Sequence, residues 1–208
     1  MIHSRLRGLY VITDEKLIPE ATFAATIEQT LRGGAAIIQY RDKSTDQAKR
    51  LHQATALRAL CNDYAAMLII NDDVDLAQAV AADGVHLGED DAPIEQTRSR
   101  LGDDAIIGVS CYNQLQRALT ARAAGADYVA FGAIFSSPTK PAARSASCAL
   151  ISEAKTKLDI PVCAIGGIDK TNATRVVDAG ADMIALISGL LSADDITHTA
   201  EHIAGLFE

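Results

Sequence analysis

Eight short apolar segments alternate with eight helix-like segments along the chain, and this alternation limits the possible folds more than any other feature. Continuous apolar runs of this length are typical of strands covered on both faces, as in a parallel sheet. Strands that alternate with helices form parallel sheets with right-handed crossovers. Eight such units predict an α/β protein, a single-domain (β/α)8 TIM barrel over residues 1–208. The apolar segments lie at 8–13, 35–38, 67–71, 84–87, 105–110, 128–131, 161–165 and 183–187.

A short repeat supports this interpretation. The sequence Ala-Gly-Ala-Asp precedes the sixth and the eighth strand, at 124–127 and 179–182, with weaker echoes at 33–36 and 82–84. In each copy a helix ends near glycine and the chain re-enters an apolar strand. A doubly wound open sheet is the alternative, but no glycine-rich dinucleotide-binding fingerprint follows the first strand.

Composition argues against several classes of partner. The net charge of -8 argues against non-specific nucleic-acid binding, and with 4% aromatic residues and no Trp, base-stacking surfaces are not expected. No apolar run has the length of a membrane span. The four cysteines lack metal-ligand spacing, so we interpret them as reduced residues of a cytoplasmic protein. Small-molecule partners remain, and the sequence leaves the formation of a homo-oligomer open.

Polar residues follow the predicted strands, at the ends where barrel enzymes carry their active sites. Gln39, Arg41 and Lys43 alternate after the second strand, so in an extended chain their side chains point to one face. An amide and two cations suited to phosphate oxygens therefore converge there. The other strand ends carry Asn71, Asp72, His86, Asp91, Ser110, Thr139, Lys140, Gly166, Gly167 and Ser188.

The carboxylates of Asp72 and Asp91 follow neighbouring strands and suggest a metal site. Hard oxygen ligands without Cys or clustered His favour Mg2+. Each residue has an alternative role as a helix N-cap, Asp72 before the helix near residue 74 and Asp91 before the helix near Pro93. The sequence alone leaves both interpretations open.

Two phosphate sites are predicted at the same end of the barrel. Arg41, Lys43 and Lys140, together with a metal, would neutralise a diphosphate. The seventh and eighth strands end in dipeptides that contain glycine, Gly-Gly at 166–167 and Ser-Gly at 188–189. Barrels commonly bind phosphate at this position through backbone N–H groups. A plain turn is the alternative at 166–167.

His86 is interpreted as a hydrogen-bonded histidine of the barrel interior rather than a base, and no Ser, Cys or Lys nucleophile has an adjacent base.

Taken in order, the motifs at the strand ends resemble the thiamine-phosphate synthase (thiamine-phosphate pyrophosphorylase) family over nearly the whole chain. Two positions depart from the family pattern: Glu89 stands where Gln is common, and Ser136-Ser137 stand where the family has Thr. The motifs are Gln-Tyr-Arg-Asp-Lys at 39–43, Ile-Asn-Asp at 70–72, Gly-Val-His-Leu-Gly at 84–88 with Asp91, Ile-Gly-Val-Ser at 107–110, Pro-Thr-Lys at 138–140, Ala-Ile-Gly-Gly-Ile at 164–168 and Leu-Ile-Ser at 186–188.

The resemblance implies a role for each matching residue. Asp72 and Asp91 match the Mg2+ ligands, and Arg41, Lys43 and Lys140 are the cations expected to act in catalysis. The contacts to the pyrimidine diphosphate match Gln39, Arg41, Lys43, Asn71, Ser110 and Lys140. The contacts to the thiazole phosphate match Ser137, Pro138, Thr139, Gly167, Ile187 and Ser188.

The implied reaction is a transfer in thiamine biosynthesis. Hydroxymethylpyrimidine diphosphate would condense with the thiazole phosphate, in its carboxylated form, to thiamine monophosphate, with release of pyrophosphate through a pyrimidine carbocation. Two alternatives remain: a thiazole tautomerase of the same fold with His86 as acid or base, and a non-catalytic barrel that binds phosphorylated metabolites. The loop at 136–147 is long and rich in Ser and Pro, and we expect it to act as a lid.

Overall fold

The computed structural model describes residues 5–135 and 145–208, and these form a closed barrel of eight parallel strands. Each strand pairs with the next along the chain, and β8 pairs with β1 to close the barrel. The predicted (β/α)8 fold is therefore confirmed, and the open-sheet alternative is wrong. The strands are β1 Gly8–Ile12, β2 Ile37–Tyr40, β3 Met67–Asn71, β4 Gly84–Leu87, β5 Ile106–Tyr112, β6 Tyr128–Phe131, β7 Val162–Ile165 and β8 Met183–Leu186.

Helices surround the barrel, and aspartate or serine side chains begin several of them. Asp46, Asp73, Ser147 and Asp195 each accept a hydrogen bond from a backbone N–H in the first turn of the helix that follows. No helix in the described segments combines the length and apolar character needed to cross a bilayer. The helices are α1 Phe23–Arg32, α2 Gln47–Asp63, α3 Val74–Ala79, α4 Ile94–Leu101, α5 Leu115–Ala123, α6 Cys148–Lys157, α7 Ala173–Asp178, α8 Ser188–Leu191 and α9 Ile196–Ala204.

Two apolar layers form the core, a large one between strands and helices and a smaller one inside the barrel. The inner layer includes two tyrosines, Tyr10 and Tyr128, both fully buried. Gly108 makes room for the second ring, because a Cβ there would lie 2.0 Å from Tyr128 Cζ. A glycine in the fifth strand thus admits a large polar aromatic side chain into the barrel interior.

The Ala-Gly-Ala-Asp repeat marks a recurring contact at the N-terminal end of the strands. An aspartate stands directly before β4, β6 and β8. Its carboxylate accepts a hydrogen bond from a backbone N–H of the strand that precedes it in the chain, β3, β5 or β7. The same carboxylate pairs with a cation on the helix that leads into that preceding strand, α2, α4 or α6. This end of a barrel contributes to stability rather than chemistry. The three sets are Asp83 with Leu68 and Arg58, Asp127 with Ile107 and Arg98, and Asp182 with Val162 and Lys155.

We expect Asp127→Ala to lower the free energy of unfolding by about 2 kcal/mol, because the buried N–H of Ile107 loses its partner. The matched control is Glu153→Ala, which removes an exposed ion pair with Lys157 on α6 and should cost no more than about 0.5 kcal/mol. Urea unfolding of both variants makes the comparison. Equal losses would show that the repeated aspartate does not tie helix to strand.

Candidate active site

Two carboxylates meet at the C-terminal ends of β3 and β4. The side chains of Asp72 and Asp91 lie close enough for each carboxyl group to shift the pKa of the other. Asn71 Nδ2 donates to Asp72 Oδ2 over 2.6 Å, and Lys43 Nζ, from beyond the end of β2, forms an ion pair with the same oxygen. The structure therefore brings four of the predicted site residues into one cluster, as adjacent strands of a closed barrel require.

Neither carboxylate is a helix cap. The cap of α3 is Asp73, whose Oδ1 accepts a hydrogen bond from the N–H of Leu76 over 2.9 Å. Asp72 instead has a left-handed backbone, φ 62°, which aspartate tolerates better than most residues. Asp91 accepts from the N–H of Gly88 over 2.6 Å, two residues before the helix cap at Pro93. The helix-cap alternatives for both residues are wrong.

The two carboxylates differ in acidity because their surroundings differ. Burial and the adjacent Asp72 carboxylate raise the pKa of Asp91. Burial also opposes the charge on Asp72, but the hydrogen bonds from Lys43 and Asp91 outweigh it, so the pKa of Asp72 is lowered. The carboxyl group of Asp91 is therefore the harder of the two to ionise. A divalent cation would compete for the same oxygens.

The donor set fits Mg2+ better than a transition metal. Residues 5–135 and 145–208 contain no cluster of three or more His, Cys, Asp or Glu side chains that could hold a metal on its own. Mg2+ is usually held by one or two carboxylates and completes its shell with water and substrate phosphates. A pair of carboxylates with a raised pKa on one member matches that requirement.

Arg41 lies next to this cluster in sequence and is held through its backbone. Its N–H donates to Thr13 Oγ1 over 2.8 Å, and that hydroxyl donates back to the Arg41 carbonyl over 3.1 Å. Within the described part of the chain the Arg41 guanidinium forms no ion pair. A cation at a barrel rim without a carboxylate partner is suited to an anionic ligand. The predicted site residues Ser137, Pro138, Thr139 and Lys140 lie outside the described residues, as do residues 136–144 of the predicted lid at 136–147.

Glycines bring the ends of β7 and β8 together. Gly167 has φ 64°, and a Cβ there would lie 2.5 Å from the carbonyl oxygen of Phe135. A Cβ on Gly189, in α8, would lie 2.2 Å from the carbonyl oxygen of Ile168. The turn after β7 is therefore packed directly against the start of α8, where Ile187 and Ser188 lie. This close approach, rather than a plain turn, accounts for the glycines, and the sequence did not predict α8.

A chain of hydrogen bonds crosses the barrel interior beneath these groups. It joins residues of five strands through contacts of 2.7 to 2.9 Å. The chain runs from Gln39 Nε2 to Tyr10 Oη, Tyr128 Oη, His86 Nδ1, and from His86 Nε2 to Ser110 Oγ.

The chain has a direction because its first donor is an amide. Tyr10 accepts from Gln39, so the proton of Tyr10 has only the hydroxyl of Tyr128 as an acceptor among the described residues. Tyr128 then donates to His86 Nδ1, and His86 Nε2–H donates to Ser110. The Ser110 hydroxyl proton is left to point to another acceptor at the rim. With the Gln39 amide as the first donor, this direction gives both tyrosines and both nitrogens of His86 a partner.

His86 is a neutral member of this chain. Burial lowers its pKa to about 4, with Asp72 acting weakly in the opposite direction. Both ring nitrogens are occupied, so the interpretation of His86 as a hydrogen-bonded interior residue is confirmed. Sequence analysis missed Tyr10 and Tyr128. Their signal was a hydroxyl within an otherwise apolar strand, on the face that alternation turns inward.

A closed barrel with carboxylates, cations and glycine turns gathered at the C-terminal rim has the arrangement of a (β/α)8-barrel enzyme, whose active site lies at this end of the strands. The sequence matches the thiamine monophosphate synthase family over residues 9–190. The chain belongs to this family.

Individual relatives support the assignment. The chain is 52% identical to thiamine-phosphate synthase of Thioalkalivibrio sulfidiphilus, over 98% of this chain and 97% of the relative. It is 50% identical to the enzyme of the same name from Nitrosococcus oceani, over 95% and 91% of the two chains. Among solved structures, thiamine phosphate pyrophosphorylase from Pyrococcus furiosus superposes with a TM-score of 0.90 at 37% identity, covering 100% of this chain and 98% of that one.

The low pKa of His86 predicts a loss of stability in acid. Because the unfolded chain binds a proton near pH 6.5 and the folded chain only near pH 4, stability is full above about pH 6.5 and falls between these values. We expect the wild-type protein to lose about 3 kcal/mol of unfolding free energy on going from pH 7 to 4, beyond the loss of His86→Gln. Urea unfolding across this range measures the difference. Parallel pH profiles for the two proteins would contradict a buried neutral histidine.

Proposed function

We propose that this chain joins hydroxymethylpyrimidine diphosphate to the thiazole phosphate, in its carboxylated form, at the rim built by Asp72, Asp91 and Lys43. The family makes the chain an enzyme of thiamine biosynthesis, a transferase that forms thiamine phosphate. The observation that carries the proposed site is the carboxylate pair held beside a lysine at adjacent strand ends. Such a cluster has a clear use where a metal and a diphosphate meet.

The pyrimidine diphosphate is proposed to bind over β2, β3 and β5. Lys43 is available to the diphosphate once a metal relieves its ion pair with Asp72, and Arg41 offers a planar fork without a competing carboxylate in the described chain. Ser110 presents a hydroxyl proton whose direction is set by the interior chain. The proposed contacts are Gln39, Arg41, Lys43, Asn71, Ser110 and Lys140.

Asp72 and Asp91 are proposed to hold Mg2+. When bound, the ion supplies positive charge to the diphosphate oxygens as they become the leaving group. Asn71 fixes the orientation of Asp72 through its amide, and the N–H of Gly88 fixes that of Asp91. These partners orient the carboxylates before any ligand enters.

The thiazole phosphate is proposed to bind where β7 and β8 end. Gly167 exposes its backbone in a left-handed conformation, and Ile187 and Ser188 begin α8 beside it. Backbone N–H groups at this position of a barrel are suited to a phosphate monoester. The proposed contacts are Ser137, Pro138, Thr139, Gly167, Ile187 and Ser188.

The chemistry follows from charge rather than from proton transfer. The C–O bond to the diphosphate breaks with its electron pair leaving on oxygen, and the ring amino group stabilises the pyrimidine carbocation. The thiazole nitrogen then donates its lone pair to the methylene carbon. The carboxyl group of the thiazole leaves as CO2, and its electron pair stays on the ring, which takes up a proton from solvent. Arg41, Lys43 and Lys140 are proposed to stabilise the charge that grows on pyrophosphate. The nitrogen carries no proton, so the reaction needs no general base.

The alternatives are less well supported. A tautomerase would need an acid or base, but both nitrogens of His86 are engaged and its pKa lies far below neutrality. A non-catalytic phosphate-binding barrel has no use for two carboxylates placed together beside a lysine. A cytoplasmic location, self-association and a single domain over residues 1–208 stay predictions.

Pyrophosphate release separates the three functions. We expect release only when both substrates and Mg2+ are present, and none after chelation of the metal. Conversion of the thiazole substrate alone would favour the tautomerase, and binding without any turnover would favour the non-catalytic barrel.

We expect Asp72→Asn and Asp91→Asn to lower the turnover number about a hundredfold or more without unfolding the protein, because each removes a charge from the metal site. Asp73→Ala is the matched control. Asp73 directly follows Asp72 in the sequence, but it caps α3 and pairs with Arg50. It should cost about 1 kcal/mol of stability and leave turnover nearly unchanged. Turnover and thermal unfolding are measured on all three variants. Full Mg2+-dependent activity in Asp72→Asn would exclude the proposed ligand.

We expect Gly167→Ala to weaken binding of the thiazole phosphate about tenfold or more, because the methyl group meets the carbonyl of Phe135 and displaces the turn. Gly125→Ala is the control. It has a similar positive φ, 94°, but open space around the added Cβ, far from the rim in the loop before β6. Calorimetric titration with the thiazole phosphate compares the two. Equal affinities would place the phosphate elsewhere.

A further inference from the structure

Arg117, on α5, reaches two strand ends of the candidate site without belonging to the predicted set. Its Nε donates to the carbonyl of Ser110 over 2.7 Å, and its Nη2 donates to the carbonyl of Gly88 over 3.1 Å. The two carbonyls belong to the residues that directly follow Leu87 and Val109, and these two form the last residue pair between β4 and β5. The guanidinium therefore joins these strands where their own ladder ends.

Both strand ends are irregular at this point. The β5–β6 pairing shifts register between Ser110 and Tyr112, and Tyr112 has a left-handed backbone, φ 54°. Bulges of this kind re-aim side chains next to active sites. On the other side β4 ends and the chain turns at Gly88 toward Asp91. The guanidinium serves the two carbonyls from separate nitrogens, Nε and Nη2, whereas a lysine carries all three of its donors on one nitrogen.

Each carbonyl belongs to a residue that orients part of the site. The N–H of Gly88 donates to Asp91 Oδ2 over 2.6 Å, so the position of Gly88 sets that of the carboxylate. Ser110 receives the end of the interior hydrogen-bond chain through His86 Nε2 over 2.8 Å. Arg117 thus supports a carboxylate and a hydroxyl on neighbouring strands through backbone atoms alone.

We propose that Arg117 is a positioning residue for the metal and diphosphate half of the site, and that it holds Asp91 and Ser110 in register with each other. The proposal rests on the Mg2+ site proposed above. Arg117 is three-quarters buried, with 24% of its side chain exposed, and Glu89 Oε1 lies 4.0 Å from its Nη1. Among residues 5–135 and 145–208, these contacts of Arg117 do not extend to the ends of β7 and β8, so binding of the thiazole phosphate should not depend on them.

The test compares Arg117→Met, Arg117→Lys and Arg122→Met. Arg122 lies on the same helix, but its guanidinium pairs with Asp159 at the surface. Binding of Mn2+ in the presence of inorganic pyrophosphate is followed by electron paramagnetic resonance, and binding of the thiazole phosphate by calorimetry. We expect Arg117→Met to weaken Mn2+ binding about ten- to a hundredfold, the range typical for residues that orient metal ligands. Arg117→Lys should fall between this variant and the wild-type protein, because a single nitrogen has to replace the two that contact the carbonyls.

The proposal requires that the Arg117 variants lose Mn2+ affinity but keep their affinity for the thiazole phosphate. Thiazole phosphate affinity should stay within about twofold in every variant, and Arg122→Met should bind both ligands as the wild-type protein does. Wild-type Mn2+ affinity in Arg117→Met, or equal weakening of both ligands, would overturn the positioning role. Absence of Mn2+ binding in the wild-type protein would overturn the metal site itself, and the role of Arg117 with it.

Discussion

Closure of eight parallel strands is the constraint on which the rest of this structure depends. Once β8 pairs with β1, the C-terminal ends of all the strands share one rim. Lys43 and Asp72, which directly follow the paired strands β2 and β3, meet at this rim. The carboxylate pair exists only because β3 and β4 are neighbours in the closed sheet. Its chemistry is a consequence of this register, since two like charges stay close only where the backbone leaves them no alternative.

The two ends of the barrel divide stability from function. At the N-terminal end, aspartates such as Asp127 accept a hydrogen bond from a backbone N–H and pair with a cation, so their charge is neutralised within the fold. At the rim, the charges of Asp72 and Asp91 oppose each other and Arg41 has no carboxylate partner in the described segments. A site that must bind a charged ligand keeps such unsatisfied charge, and the rest of the molecule compensates for its cost.

The barrel interior links these regions through hydrogen bonds rather than apolar packing alone. Tyr10 and Tyr128 lie in the otherwise largely aliphatic inner layer, and His86 is hydrogen-bonded to Tyr128. The polar atoms of these side chains find their hydrogen-bond partners in one another and in the neighbouring members of the chain. Burial raises the pKa values of both tyrosines and lowers that of His86, so all three stay neutral near pH 7. A fully connected neutral chain costs little to bury and holds Gln39 and Ser110 in one geometry at the rim.

The sequence by itself determined the fold and most of the rim. Alternating apolar and helical segments carry their period locally, and polar residues at strand ends identify the positions that a barrel brings together. Tertiary structure alone decided which aspartate caps α3, because Asp72 and Asp73 are chemically equal and only the left-handed φ of Asp72 separates them. It also decided the contacts of Tyr10 and Arg117, whose partners lie on other elements. Hydrogen bonds between distant strands and helices depend on side-chain direction in a packed core, which no local pattern records.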